Sequence, residues 1–359
     1  DRTLHTGFSL SLILGLLVTA VGCGLGPTIL TWMQTPEECL EMAGTYLRIY
    51  FAGSLASMVY NMEAGILRAM GDSRTPVYSL AAACIVNIIM DIVLVVYGRM
   101  GVAGAALATV LSQIISAGML LVVLLRQRDF PLRFGELCLD GRLLKRILLI
   151  GIPAGLQFVT FDLSNTLIQS GINSFGSVVM AAWTAYSKTD AFVWMISGAF
   201  GVAITTFVGQ NFGAQRYDRV RQSVRVCLVM SLGTVGAITL LMLLFRRAIL
   251  GIYSADAGVI ESGAYIMSII VPFEAVFMPV EIFAGTFRGV GDSVKPTVIT
   301  CLCVCVVRVI WLMTAVKLHH TLFMLCVCYP MTWILTATVF AAVYLKGDWL
   351  RKRIPEEGL

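Results

Sequence analysis

Asp91 lies well inside an apolar run, and Asn87 four residues earlier falls on the same helix face. A carboxylate beside an amide oxygen is a hard-oxygen set that suits an alkali cation, and a buried carboxyl can carry a proton instead. Thr109, on the following antiparallel helix, can add a hydroxyl. The other reading of the same residues is an Asn–Asp hydrogen bond that only locks two helices. An ionisable residue at a bilayer centre costs about 2.5–3.5 kcal/mol on insertion scales, so each one in such a run is a functional candidate.

The second half of the chain carries more of them. Asp162, Asn165, Gln169 and Asn173 are spaced by three or four and form a polar stripe on one apolar helix, which must face a cavity or other helices rather than lipid. The next helix brings Trp183, Tyr186, Lys188, Asp190 and Trp194 together. Lys188 and Asp190 point to different faces, so each needs a partner elsewhere, and Asp162 is the candidate for Lys188. A substrate-binding wall and structural interhelix bonds both fit this set. Glu274 and Glu281 share a face further on, Glu63 lies near a helix end in the first half, and Arg308 is expected to pair with one of these carboxylates.

The elements that position these residues follow from composition. Of 359 residues 58% are hydrophobic and 13% charged, with a mean hydropathy of +0.86, which excludes a water-surrounded globular domain. The apolar runs are continuous, so they predict helices crossing the roughly 30 Å hydrocarbon layer rather than barrel strands. Ten spans are expected, near 8–32, 43–67, 76–98, 102–125, 146–172, 178–208, 224–250, 260–286, 297–316 and 321–345. The fold class is an all-α polytopic membrane protein. The ten cysteines read as small packing residues, because alternate thiols inside spans diverge and cannot share a metal. No metal and no cofactor is expected, and His5, His319 and His320 form no motif.

Most of the 26 basic residues fall on one side of these spans, among them Arg68, Arg74, Arg126, Arg128, Arg133, Arg142, Lys145, Arg146, Arg216, Arg219, Arg221, Arg225, Arg288 and Lys295. The positive-inside rule then places both termini in the cytoplasm of a multi-pass protein of the cell membrane. The +5 net charge is spread over short loops and calls for no nucleic acid. Residues 126–146 form the one long polar stretch, and Gly209–Arg225 reads as a loop with a short amphipathic helix on anionic headgroups.

One internal repeat stands out. Gly65–Pro76 and Gly285–Pro296 share Arg68/Arg288, Gly71/Gly291, Asp72/Asp292 and Pro76/Pro296, each recurring 220 positions later. Each copy ends one span, turns at Gly-Asp-Ser and opens the next with Pro in its first turn, where a missing N–H costs nothing. Duplicated halves are a mark of secondary transporters. The offset places Glu281 opposite Asn61, and it predicts that the first half begins about 80 residues before residue 1, room for two more spans of about 20 residues. The expected organisation is an N-terminal lobe over 1–126, a cytoplasmic linker over 127–145, a C-terminal lobe over 146–345 and a cytoplasmic tail over 346–359.

These residues resemble the multidrug and toxic compound extrusion (MATE) family. The resemblance rests on the repeated R-x-x-G-D-S-x-x-P turn, Gly151-Ile-Pro153-Ala-Gly155-Leu-Gln, Val208-Gly209-Gln210-Asn211-Phe-Gly213-Ala214, and Asn87-x-x-x-Asp91 followed by Gly101-Val-Ala-Gly104-Ala-Ala-Leu-Ala-Thr109. It implies a two-lobe bundle with ten of twelve spans present, and export of organic, often cationic, molecules in antiport with Na+ or H+ by alternating access. It also implies that Asn87, Asp91 and Thr109 belong to a cation site completed by an Asp of the family's first helix. Asp162, Asn165, Gln169, Asn173, Lys188, Asp190, Glu274 and Glu281 are then candidates for a substrate or proton pathway in a monomer. A flippase or exporter of a lipid-linked saccharide or cell-wall precursor is the alternative, but such proteins usually line the cavity with several basic residues, and only Lys188 and Arg308 are available here. Gly98-Arg-Met-Gly101-Val-Ala-Gly104 lacks the strand and helix context of a nucleotide site, and neither a Walker A sequence nor a paired catalytic motif occurs, so the chain does not read as an enzyme. A non-transporting receptor would leave the repeat without a purpose.

Overall fold

The computed structural model describes residues 2–32, 37–128 and 130–346, and the expected tail beyond Lys346 lies outside them. The described residues are all helical or loop, in agreement with the all-α expectation. Nine of the helices among them are long and apolar enough to cross a membrane. The chain clusters into two compact units, Asp1–Ile147 and Leu148–Leu359.

The first unit contains α1 (Arg2–Trp32), α2 (Glu37–Ala52), α3 (Ser54–Ala69), α4 (Arg74–Asp91) and α5 (Gly101–Arg126). The span expected over 43–67 is instead two 16-residue helices, α2 and α3, divided at Gly53. A Cβ at Gly53 would stand 2.5 Å from Val110 Cγ2 of α5, so the break sits at a close approach to that helix. After Asp91 the backbone widens into a π-helix, Ile92–Tyr97. The core of this unit gathers Leu4, Phe8, Val59, Leu67, Leu120 and Leu124. Leu132 joins it from the polar stretch, whose backbone is further tied to α1: Arg133 N donates to His5 Nε2 at 3.1 Å and Asp140 N to Thr6 Oγ1 at 3.3 Å.

Asp140 then caps α6 (Gly141–Asn173) by accepting from the N–H groups of Arg142 and Leu143 at 2.9 and 3.2 Å. α7 (Ser177–Gly213) and α8 (Tyr217–Leu244) follow, separated by three residues with Gln215 at φ 58°. The Gly209–Arg225 segment is therefore two helix ends around a tight turn, not a loop with its own small helix. α9 (Arg246–Tyr253), α10 (Ala257–Ile270) and α11 (Glu274–Gly289) come next. Pro272 lies in the 3-10 turn between α10 and α11, where its missing N–H removes one bond of the helical ladder. The next span is α12 (Val294–Thr300), a π-helix over Cys301–Val306, α13 (Val307–Trp311) and a second π-helix over Leu312–Val316. α14 (Leu322–Cys326) and α15 (Cys328–Leu345) end the described chain.

Large apolar side chains cover the outer faces of the spans, as at Val77, Tyr78, Leu80, Ile85 and Ile88 on α4. A helix apolar all round is what a lipid solvent selects. All ten cysteines are free thiols.

Candidate functional site

The two repeat turns have the same geometry. Gly71 and Gly291 adopt φ 95° and 82°, a region glycine enters without a Cβ penalty. The next N–H reaches back five residues, Asp72 to Leu67 O at 2.9 Å and Asp292 to Phe287 O at 2.8 Å, the six-to-one bond that closes a helix end. Asp72 Oδ1 then accepts from the N–H groups of Arg74 and Thr75 at 3.1 and 3.0 Å, and Oδ2 from the Thr75 hydroxyl at 2.5 Å. These bonds, the Thr75 hydroxyl foremost, hold the Asp72 carboxyl below the usual carboxylate range. Asp292 accepts from Lys295 N at 3.3 Å and pairs with Lys295 Nζ at 2.8 Å. Pro76 and Pro296 are buried in the first turns of α4 and α12, and Arg68 and Arg288 close α3 and α11.

In the first unit Asn87 and Asp91 lie on the last turns of α4, both half-buried. α4 runs closely along α5, tied to it by Ser79 Oγ donating to Ser116 O at 2.9 Å. Thr109, on α5, donates its hydroxyl to Ala105 O of its own helix at 3.0 Å, and no hydrogen bond joins Asn87, Asp91 and Thr109. The Asn–Asp helix lock is therefore not formed, and the carboxylate and amide are left with unused oxygens beside the π-helix. Glu63 is fully buried in α3 with neither carboxylate oxygen partnered.

The second unit concentrates its polar groups around an aromatic layer. Trp194 is centred 5.9 Å from Phe161, 4.9 Å from Phe277 and 6.3 Å from Trp333, and Trp333 is centred 5.6 Å from Tyr329. Trp194 Nε1 donates to Asp190 Oδ2 at 2.9 Å. The Asp190 and Glu274 carboxyls are within reach of each other, one from α7 and one from the first turn of α11, with the Tyr186 hydroxyl alongside. Asp190 Oδ1 and both Glu274 oxygens are buried and have no donor. Two bare carboxylates in contact repel, so one proton or one bound cation between them is what such a pair requires. The residues were readable singly in the sequence. Their meeting was not, because it depends on α7 and α11 lying side by side.

The other candidates disperse. Asp162 and Lys188 are both exposed and form no ion pair among the described residues, so the expected partnership is not made. Gln169 donates to Asn173 at 2.9 Å, a bond within α6. Glu281 shares with Glu274 the side of α11 that meets α7. There it abuts Gly201, where a Cβ would stand 2.7 Å from Oε2, and its other neighbour is Arg288 at 3.8 Å. Arg308 pairs with no carboxylate among the described residues, contrary to expectation. Its Nε donates to Thr332 Oγ1 at 3.3 Å and Nη1 to Asn165 Oδ1 at 3.1 Å, while Tyr329 and Phe161 lie against the guanidinium at 4.2 and 5.4 Å. Tyr329 and Thr332, which complete this cage, carried no spacing signal that would single them out.

The family model MatE matches residues 1–93 and 153–314, well over half of the chain. The chain belongs to the MatE family. Among curated MatE relatives it is 29% identical over 304 residues to the probable multidrug resistance protein YoeA of Bacillus subtilis (strain 168), covering 82% of this chain and 65% of that protein. It is 34% identical over 201 residues to the probable multidrug resistance protein YpnP of the same organism, covering 56% of this chain and 45% of that protein. The chain thus spans about half to two-thirds of the length of these relatives. Its fold matches a crystal structure of MATE in complex with MaL6 with a TM-score of 0.91 at 20% identity, over 98% of this chain and 80% of that one. The fold of the MatE proteins is therefore present, and the chain is a multi-pass membrane protein.

Proposed function

We propose that the chain forms part of a secondary active transporter that exports small organic compounds, many of them cationic, in antiport with Na+ or H+ through alternating access of two lobes. The lobes are assigned to residues 1–126 and 146–345, joined by a linker over 127–145, with both chain ends in the cytoplasm of the cell membrane and the protein acting as a monomer. The observation that carries this reading is that Asp190 Oδ1 and both Glu274 oxygens are buried without a donor, and that no basic side chain is bonded to either residue among the described residues. Carboxyls kept inside a membrane-embedded unit at such cost handle a cation or a proton. Family membership supports the same reading, and so do the names of the relatives.

In this mechanism Asn87, Asp91 and Thr109 offer oxygens to the coupling ion in the first lobe, and Asp190 with Glu274 exchanges a proton or cation in the second. Asp162, Asn165, Gln169, Asn173, Lys188 and Glu281 line the substrate or proton route. Ion binding favours one lobe arrangement and organic cation the other, so the two cross in opposite directions. The test is dye efflux from proteoliposomes under an imposed Na+ or pH gradient. At least one gradient should drive efflux, and failure of both overturns antiport.

A further inference from the structure

Among the described residues of the second unit, Arg308 is the one basic side chain that is completely buried. It stands at the middle of the apolar span Val294–Val316, between the two π-helical segments, and its guanidinium stays charged at any relevant pH. Such a charge needs a counter-charge, because hydrogen bonds to neutral groups do not cancel its desolvation. Among the described residues no acidic group of the unit supplies it. Asp190 and Glu274 face each other, Trp194 and Tyr186, Glu281 stands near Arg288, and Asp162 is exposed.

What surrounds the guanidinium holds it in place and leaves one edge unfilled. Two neutral acceptors, Thr332 and Asn165, take Nε and Nη1, and two rings hold the plane, yet Nη2 is buried with no acceptor at all. A guanidinium edge held in this way matches a carboxylate geometrically. The rings of Phe161, Tyr329, Trp194 and Trp333 continue from it and would take an apolar, aromatic body. Access lies on the α6 side. α6 makes few close backbone approaches to any other element, and side chains bridge the gap: Phe161, half-buried Asn165, and Gln157 donating to Thr300 Oγ1 at 3.2 Å.

We propose that Arg308 is the receptor for the carboxylate of an aromatic organic acid, which enters as α6 draws away and lies between α6 and the segment α13–α15. Nη2, with Nη1 released from Asn165, holds the carboxylate, and the aromatic layer holds the body. This widens the cargo of the second lobe from cations to acids and to molecules carrying both charges. That the acid is cargo rests on the transport reading above. That it binds does not.

The experiment is therefore a binding measurement without a gradient. The chain in lipid nanodiscs is titrated with 2-naphthoate, and with neutral 2-naphthamide as control, while tryptophan fluorescence is followed. Naphthoate should quench saturably, and R308Q should weaken it at least about tenfold while leaving naphthamide unchanged. R308K, which keeps the charge but loses the planar fork, should show an intermediate loss and serves as the decisive variant if R308Q does not fold. Equal naphthoate affinity in the wild type and the folded variant overturns the site, as does naphthamide binding as tightly as naphthoate. Chloride competing with naphthoate at equal strength makes the occupant an inorganic anion and also overturns it. A wild-type chain that binds no naphthoate yet shows gradient-driven efflux sinks this inference alone, and a wild-type chain that binds naphthoate but shows no gradient-driven efflux sinks only the transport reading.

Discussion

The two repeat copies share their turns and differ in the spans that follow. In both units a left-handed glycine closes one helix, an aspartate caps the next and a proline sits in its first turn, so the backbone path is repeated. The π-helix is repeated as well, at Ile92–Tyr97 and at Leu312–Val316, 220 positions apart. What precedes it has diverged: Asp91 stands at that point in the first unit and Trp311 in the second, where Trp311 Nε1 donates to Met324 O at 2.8 Å. The second unit also has the earlier π-helix over Cys301–Val306, whose first-unit counterpart is ordinary α-helix, and it lies just before Arg308. The first unit leaves Asn87 and Asp91 half-buried and unbonded, whereas the second sets Asp190 and Arg308 against aromatic rings. The comparison teaches that turn geometry maintains the duplication while the charged chemistry has changed independently in each half.

Four measurements would break or sharpen that contrast. The largest effect is expected from Trp333→Ala, which empties the centre of the aromatic layer and should cost about 3–5 kcal/mol. Hydrogen exchange should show the loss in the second unit and leave α1–α5 protected, and equal loosening of both would end the picture of separately organised halves. Next, Asp91→Asn and Glu274→Gln should each lower gradient-driven efflux by at least about a hundredfold, about 2.7 kcal/mol at the barrier, with thermal stability retained. Full efflux by either variant would remove that unit from ion handling. Gly71→Ala and Gly291→Ala should each cost about 1–2 kcal/mol, because a Cβ is strained at positive φ, and unequal melting losses would show that the two turns are not equivalent.

The smallest effect belongs to the aspartate caps, about 1 kcal/mol for Asp72→Ala. The Asp72 carboxyl ionises more readily in the fold than in the unfolded chain, so its contribution is present above the ordinary value of 3.8 and is lost as pH falls through the lower folded value. A melting temperature that declines in the wild type on acidification below about pH 4, and declines less in Asp72→Asn, is the expected outcome. Parallel declines would remove Asp72 from the acid response.

Gly71, Asp72 and Pro76 could be assigned from the sequence alone because their partners are a few residues away. The limits of α2, α3, α10 and α11 were harder. Gly53 and Pro272 interrupt runs whose hydropathy is continuous, and hydropathy does not register a backbone break. Arg308 was the clearest misreading: a buried arginine suggests a carboxylate, and the fold offers Thr332, Asn165 and two rings instead.

Composition and short-range pattern are enough to set the membrane solvent, the helical class and the closing geometry of the repeated turns, since these depend on residue type and on neighbours within about one helical turn. It takes the folded packing to bring Asp190 near Glu274, to keep Lys188 from Asp162, and to lay Arg308 against Tyr329. These pairs stand 84, 26 and 21 positions apart in the sequence. They are set by which helix faces lie together, and many apolar faces are interchangeable in sequence although only one arrangement of them is folded.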